Sequence, residues 1–308
     1  MGACTSYSCC NLQATVFRKQ PWPASTFNPT GLDTDQWART AVDMGAKQIC
    51  LTVHHTGGFA LWPTKASNYS IAASPFAKTG RDIVGEFVDS CRSHELEPCF
   101  YIILDWDCHE WRDDVQTYYR VQQAMLTELL TNYNDPTGRF PIARLWWDNY
   151  NMAGSSIITE GRLAKTTQRS LFRTGDRGTD VVPGHNPGGF PALFANLTEH
   201  VRMLSPSTLL IPGPDGCLVG GEGGGGAYPI WNFNSGPTQY GCQGNTAGVN
   251  PTPSPSLIYA PHEQDHSILN PGDMWWWVKG HPWLSAAELF EHYLVSVGRG
   301  SSCVGLYR

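Results

Sequence analysis

The stretch Ile142-Ala143-Arg144-Leu145-Trp146-Trp147-Asp148 decides how this chain reads. Apolar and aromatic residues run straight into a carboxylate, and the pattern breaks at Asn149-Tyr150-Asn151. Barrels of alternating strands and helices carry their chemistry at the C-terminal ends of the strands, and this strand has that form. A carboxylate between Trp and Tyr suits sugar chemistry. Indole faces pack on the C–H faces of a sugar ring, and the carboxylate can attack or stabilise its anomeric carbon. The structural alternative for Asp148 is a helix N-cap or a salt-bridged strand end.

The order upstream of this strand is regular. Asp33 or Thr34 opens a helix with Trp37, Ala38, Ala41, Val42 and Met44 as its apolar stripe, and Gly45 stops it. A strand over 48–53 and a Gly57-Gly58 loop follow. A helix over 80–94 buries Ile83, Val84, Phe87, Val88 and Cys91. Residues 98–104 form a fully apolar strand, as expected where both faces are covered. A third helix over 115–133 turns Met125, Leu126, Leu129 and Leu130 inward. Strand–helix alternation at these lengths predicts a parallel α/β fold, either a closed barrel or a doubly wound sheet. No GxGxxG or P-loop supports the nucleotide-binding version.

Downstream, 149–189 reads as a long insertion over the mouth of the sheet. A helix over 190–204 and short strands over 208–211 and 257–260 follow, then a helix over 286–297 and a closing strand over 303–307. Residues 220–226 are glycine except for Glu222, and 250–256 is a Pro-rich connector. The expectation is a single domain, 1–308.

With 16% charged residues and a net charge of −6, no Lys/Arg run interleaves with aromatics, so nucleic acid is not an expected partner. Twelve each of Trp, Tyr and Phe fit either a carbohydrate-active protein or a large core. No apolar run is long enough for a membrane span, and the first ten residues lack the layout of a signal peptide. The cysteines show no CxxC pair; Cys50 and Cys99 read as small core residues inside strands.

Glycoside hydrolysis needs two carboxyl groups, one ionised and one protonated, on opposite sides of the bond. Asp148 is the first candidate. Glu222 is the second, because flanking glycines let a ligand approach closely and let the loop move; its alternative is an incidental Glu on a surface linker. Asp105, Asp107, Glu263 and Asp265 also follow strands and divide between substrate binding and structure. His54 and His55 invite a metal reading, but neighbours on a strand point to opposite sides, so one His is expected to meet a sugar hydroxyl and the other to pack or be solvated. Trp275-Trp276-Trp277 is either a core cluster or the wall of a sugar subsite.

Taken together, Phe27-Asn28-Pro29-Thr30, His55-Thr56-Gly57-Gly58-Phe59, Leu61-Trp62-Pro63-Thr64, Glu128-Leu129-Leu130, Leu145-Trp146-Trp147-Asp148, Gly213-Pro214-Asp215, Val219-Gly220-Gly221-Glu222 and Trp275-Trp276-Trp277 resemble, in order, the α-L-fucosidases of glycoside hydrolase family 29. The resemblance covers nearly the whole chain and is closest to the branch acting on α-1,3/1,4-linked fucose. It implies a (β/α)8-like TIM barrel, a retaining mechanism, no cofactor or metal, and a fucosylated oligosaccharide or glycoprotein glycan as partner. It also implies a secreted or lysosome/vacuole-like location. Carried over residue by residue, Asp148 is the nucleophile and Glu222 the acid/base. His55, Trp62, Tyr101, Trp146 and Trp276 make up the substrate-binding set. The chain departs from the pattern in places. His54 stands where the family has Lys, Cys217 where it has a fucose-binding Arg, and Leu218 where it has Trp. Most of the first strand and the C-terminal β-sandwich are expected to be missing; either 12–17 fills the gap or the chain is a fragment of a longer protein. Cys217 and the missing first-strand His motivate a second reading, a catalytically impaired fucose-binding barrel.

Overall fold

Asp33 opens the first helix. Its side chain accepts the Gln36 N–H and caps α1 (Thr34–Asp43). Gly45 turns the chain out of that helix at φ +76°, a conformation that strains any residue with a Cβ. Strand β1 (Gln48–His54) follows. Helix α2 (Ile83–Ser93) starts later than the expected 80. Gly80, at φ +68°, closes a 3-10 turn over Pro75–Thr79, and Asp82 then caps α2 by accepting the N–H groups of Val84 and Gly85. Next come β2 (Glu97–Ile103), α3 (Val115–Asn132), β3 (Arg144–Asp148), α4 (Gly189–Leu204) and β4 (Leu209–Leu210). The computed structural model describes residues 23–55, 57–103, 115–135, 137–148, 189–211, 215–218, 233–235, 257–259, 262–269, 280, 282–299 and 301–306.

Two units partition the chain, 5–209 and 1–4 with 210–308. In the first, β1 pairs parallel with β2 and β2 with β3, and the sheet order is β1-β2-β3-β4. The parallel α/β reading is therefore correct for this half. Residues 98–103 of β2 are all buried, as a central strand covered on both faces must be. Phe100, Ile102, Leu145 and Trp147 contribute from the sheet. Val84, Phe87, Val88 and Cys91 contribute from α2, and Met125, Leu126, Leu129 and Leu130 from α3, all at 2% exposure or less. Each was legible from helical or strand periodicity.

Cys50 and Cys99 correct the sequence reading. They stand directly opposite each other across β1 and β2 and are joined as a disulfide. Pairing depends on strand register, which the spacing of the two residues along the chain does not disclose.

In the second unit, β5 (Cys217–Leu218) precedes β6 (Phe233–Ser235), β7 (Leu257–Tyr259), β8 (His262–Ser267), α5 (Ala286–Ser296) and β9 (Ser302–Leu306). A parallel sheet runs in the order β5-β8-β9, while β6 and β7 form a separate antiparallel pair. The expected strand at 257–260 thus belongs to the antiparallel pair. The neighbouring stretch, expected as a loop with two acids, is strand β8. All six of its residues are polar and buried. Parallel ladders on both sides take up its backbone, and side chains find partners: Gln264 Nε2 donates to Ser301 Oγ at 2.9 Å. Helix α5 is held by a reciprocal box, with Ser285 Oγ accepting the Glu288 N–H and the Glu288 carboxylate accepting the Ser285 N–H. Among the described residues no helix is long and apolar enough to cross a membrane.

Candidate active site

Strand β1 ends in an irregularity. Thr52 faces Tyr101, but His54 faces Ile102, so Val53 is an extra residue in the ladder. A bulge bends a strand and redirects the side chains beyond it. The carbonyl of Val53 is turned to accept the Leu61 N–H at 3.0 Å, which draws the following loop back over the strand end. Within that loop Gly58 donates its N–H to the His55 carbonyl at 2.8 Å, and Gly58 takes φ +78°. His54 is buried at 1% exposure, and His55 lies half-buried beyond it. The two histidines therefore occupy different environments.

His55 stacks on Tyr101, with ring centroids 5.3 Å apart and planes 13° apart. Tyr101 stacks in turn on Trp146, at 5.0 Å and 17°. Tyr101 and Trp146 are register partners on β2 and β3 and are 3% and 4% exposed. Three strands in succession each place one ring in a single column at their C-terminal ends. These separations fall in the range where offset aromatic stacks are favourable. The column brings together three residues expected to bind substrate. Asp148 closes β3 opposite Ile103, two positions beyond Trp146. The side chain of Asp148 lies outside the described residues, as do Glu222, Trp276, Asp105 and Asp107.

Trp62 has a different place. Expected against substrate, it is 1% exposed and donates its indole N–H to Glu128 Oε2 at 2.8 Å. The structure does not bring it into the ring column; it puts Trp62 in the core, on a carboxylate from α3. Glu263 and Asp265 are each 2% exposed within β8 rather than displayed on a loop. Cys217 stands in β5 opposite His262, and its side chain lies outside the described residues.

The second unit holds its own group of titratable side chains. His266 on β8 stacks on His292 of α5 at 4.2 Å and 11°, and its Nε2 lies 3.6 Å from Cys303 Sγ. Burial lowers the His266 pKa, and the neighbouring His292 lowers it further, against a raising contribution from the Ser267 carbonyl. Burial lowers His262 and raises Cys303 as well, so the neutral forms are favoured throughout. Among the described residues no three His, Cys, Asp or Glu side chains converge to hold a metal ion.

Sequence reasoning noted Glu128 only as part of the Glu128-Leu129-Leu130 motif and gave it no role. Its signal was weak: a carboxylate three residues after inward-facing Met125, at the flank of the α3 stripe.

Comparison with known proteins bears on the same region. Residues 14–174 match the model of the α-L-fucosidase family. A rice relative provisionally named α-L-fucosidase 1 (Oryza sativa subsp. japonica) is 29% identical over 284 residues, which is 89% of this chain and 46% of the relative. The α-L-fucosidase 1 of Arabidopsis thaliana is 27% identical over 286 residues, covering 89% of this chain and 47% of its own. The chain thus spans about half the length of these curated relatives. Among solved structures, one from Bacteroides thetaiotaomicron, provisionally named an α-L-fucosidase, superposes with a TM-score of 0.69 at 24% identity. That superposition covers 93% of this chain and 55% of the other, and at this identity it speaks to the fold.

Proposed function

The chain belongs to the α-L-fucosidase family, and from that premise we propose that it carries the catalytic barrel of a retaining exo-glycosidase that removes terminal α-L-fucosyl residues. The fold we propose is a (β/α)8-like TIM barrel in a single domain over 1–308. Asp148 attacks the anomeric carbon while Glu222 gives its proton to the leaving oxygen. The C–O bond to the aglycone breaks as the bond to Asp148 forms. Glu222, now a carboxylate, takes a proton from water, which displaces Asp148 and releases fucose. The preferred linkage in this reading is α-1,3/1,4, and the partner is a fucosylated oligosaccharide or glycoprotein glycan.

The observation that carries this reading is the His55–Tyr101–Trp146 column at the C-terminal ends of β1, β2 and β3, next to position 148. A sugar ring with an apolar face needs an aromatic surface, and its hydroxyls need a donor such as an imidazole. The column supplies both kinds of group, with Trp146 two positions before Asp148 on β3. Trp276, which lies outside the described residues, is proposed as a further substrate-binding residue.

Cys217, at the position of the family's fucose-binding Arg, favours a second reading, a fucose-binding barrel without turnover. One experiment separates the two. The purified chain is incubated with a 2-fluoro-fucosyl inactivator and weighed intact. The expected result is a single adduct that peptide mapping places on Asp148, with Asp148→Gly losing aryl α-L-fucoside turnover and azide partly restoring it. Fucose binding without adduct supports the second reading. Wild-type turnover in Asp148→Gly would sink the assignment.

A further inference from the structure

Glu128 is a carboxylate with two donors and no cation beside it among the described contacts. One oxygen accepts the Trp62 indole N–H at 2.8 Å; the other accepts the Lys65 backbone N–H at 2.8 Å. Both donors belong to the same stretch of chain, the far end of the loop that begins at His55. That loop is fastened at three points. Near β1 the Leu61 N–H reaches the Val53 carbonyl. In its middle Ala60 exchanges bonds with the 69–71 segment: its N–H goes to the Tyr69 carbonyl, and its carbonyl accepts from Ile71. At its far end stands Glu128, on α3, a helix otherwise remote from β1 in sequence.

We infer that Glu128 is a positioning residue for sugar binding, which clamps the His55–Lys65 loop to α3 and so fixes where His55 stands against Tyr101. This rests on the fucosidase reading above. A carboxylate suits the task because it is acceptor-only, and both of its partners are donors. Hydrogen bonds to an ionised acceptor are stronger than neutral ones, and two on one carboxylate fix both its position and its rotation. Trp62 acts here as a strut. Its ring fills the core at 1% exposure while its N–H finds Glu128, so the loop end cannot shift without exposing an indole and leaving its N–H without this acceptor. Phe59, between the strut and His55, packs against Phe27 and Tyr69 at 5.1 Å each, which stiffens the span that transmits the position.

Two substitutions test this. Glu128→Gln keeps the shape but points an amide NH2 at one of two donors, so one hydrogen bond is lost to repulsion. Trp62→Phe keeps a ring and removes only the indole donor. Glu128→Gln is expected to lower kcat/KM for an aryl α-L-fucoside by roughly 10- to 100-fold, the scale of a displaced binding group. The loss should fall mainly on KM, because His55 meets the sugar in ground and transition states alike. Trp62→Phe should show a smaller loss of the same kind. The double variant should be little worse than Glu128→Gln, because both act through one contact. Hydrogen exchange over 57–66 should rise in each variant. Unchanged kcat/KM in a folded Glu128→Gln overturns the positioning role, even if the melting temperature falls. Independent, additive losses overturn the shared contact. A wild-type chain that neither turns over the fucoside nor takes up the 2-fluoro-fucosyl label overturns the functional reading instead. The clamp itself is then judged on exchange, and unchanged exchange over 57–66 in Glu128→Gln overturns it.

Discussion

Replacing Tyr101 isolates what the ring column contributes. Tyr101 sits in the middle of the stack and holds His55 on one side and Trp146 on the other. Tyr101→Leu removes two ring contacts at once. Each is worth about 0.5–1.5 kcal/mol beyond the area it buries, so the two amount to roughly 1–3 kcal/mol. At 3% exposure the site has little room to collapse, which adds a cavity cost. The urea midpoint should therefore fall, with an unchanged slope. Loss of the stack also removes a contact that orients the His55 imidazole, and kcat/KM for an aryl α-L-fucoside should drop roughly 10- to 100-fold. Tyr101→Phe is the control: both stacks remain and only a hydroxyl is given up, a change of about 1 kcal/mol. Equal damage from Phe and Leu would show that the hydroxyl, not the stack, matters. A Leu variant that loses stability but keeps wild-type kcat/KM would refute the placement of the sugar site at the column.

Tyr133 donates its hydroxyl to Asp82 Oδ2 at 2.7 Å, and burial together with that bond pushes its pKa far up. Tyr133→Phe should cost about 2 kcal/mol in urea unfolding, as expected for a bond to an ionised acceptor; a loss under a few tenths would mean Asp82 is held by its cap contacts alone. Stability should also fall with acid in the range of histidine titration. His262 and His266 have pKa values lowered in the folded state by burial. The unfolded chain therefore binds more protons between those lowered values and about 6.5, so their contribution is full above about 6.5 and is lost as pH falls. A urea midpoint that stays flat from neutral pH down to 5 would contradict this, and His266→Phe should flatten part of the slope.

The half of the fold that could be read in advance is the half built from apolar periodicity. Helices α1 to α3 and strands β1 to β3 declare themselves because their buried faces are aliphatic or aromatic and recur at 3.6 or 2 residues. Their boundaries moved by one to three residues, most at the start of α2, where Gly80 closes a 3-10 turn. Two members of the candidate site were legible for a related reason: His55 directly follows β1 and Trp146 lies two residues before the end of β3, while Tyr101 on β2 stands out only through the family resemblance. Strand β8 was not legible. His262-Glu263-Gln264-Asp265-His266-Ser267 has no apolar residue to alternate, and its burial depends on partners supplied from elsewhere in the chain, such as Ser301. Buried polar groups are tolerated when paired, and pairing is invisible to a window that sees one segment at a time.

Trp62 sharpens the same point for function. An indole near a strand end invites a sugar-stacking role, since its face is apolar and broad. The face is only half of its chemistry. The N–H of a buried indole also requires an acceptor, and Glu128 provides one 66 residues away along the chain. Sequence shows an aromatic residue in a motif but not which of these two properties the fold uses. At Trp146, 4% exposed, the ring is stacked with Tyr101 at the strand ends. At Trp62, 1% exposed, the N–H is engaged and the ring is enclosed. Exposure scarcely separates the two tryptophans. What separates them is the partner: another ring in register across a parallel ladder, or a carboxylate on a helix. A ring stacked at the strand ends and a strut in the core can thus be written with the same residue, and the assignment turns on what each indole touches.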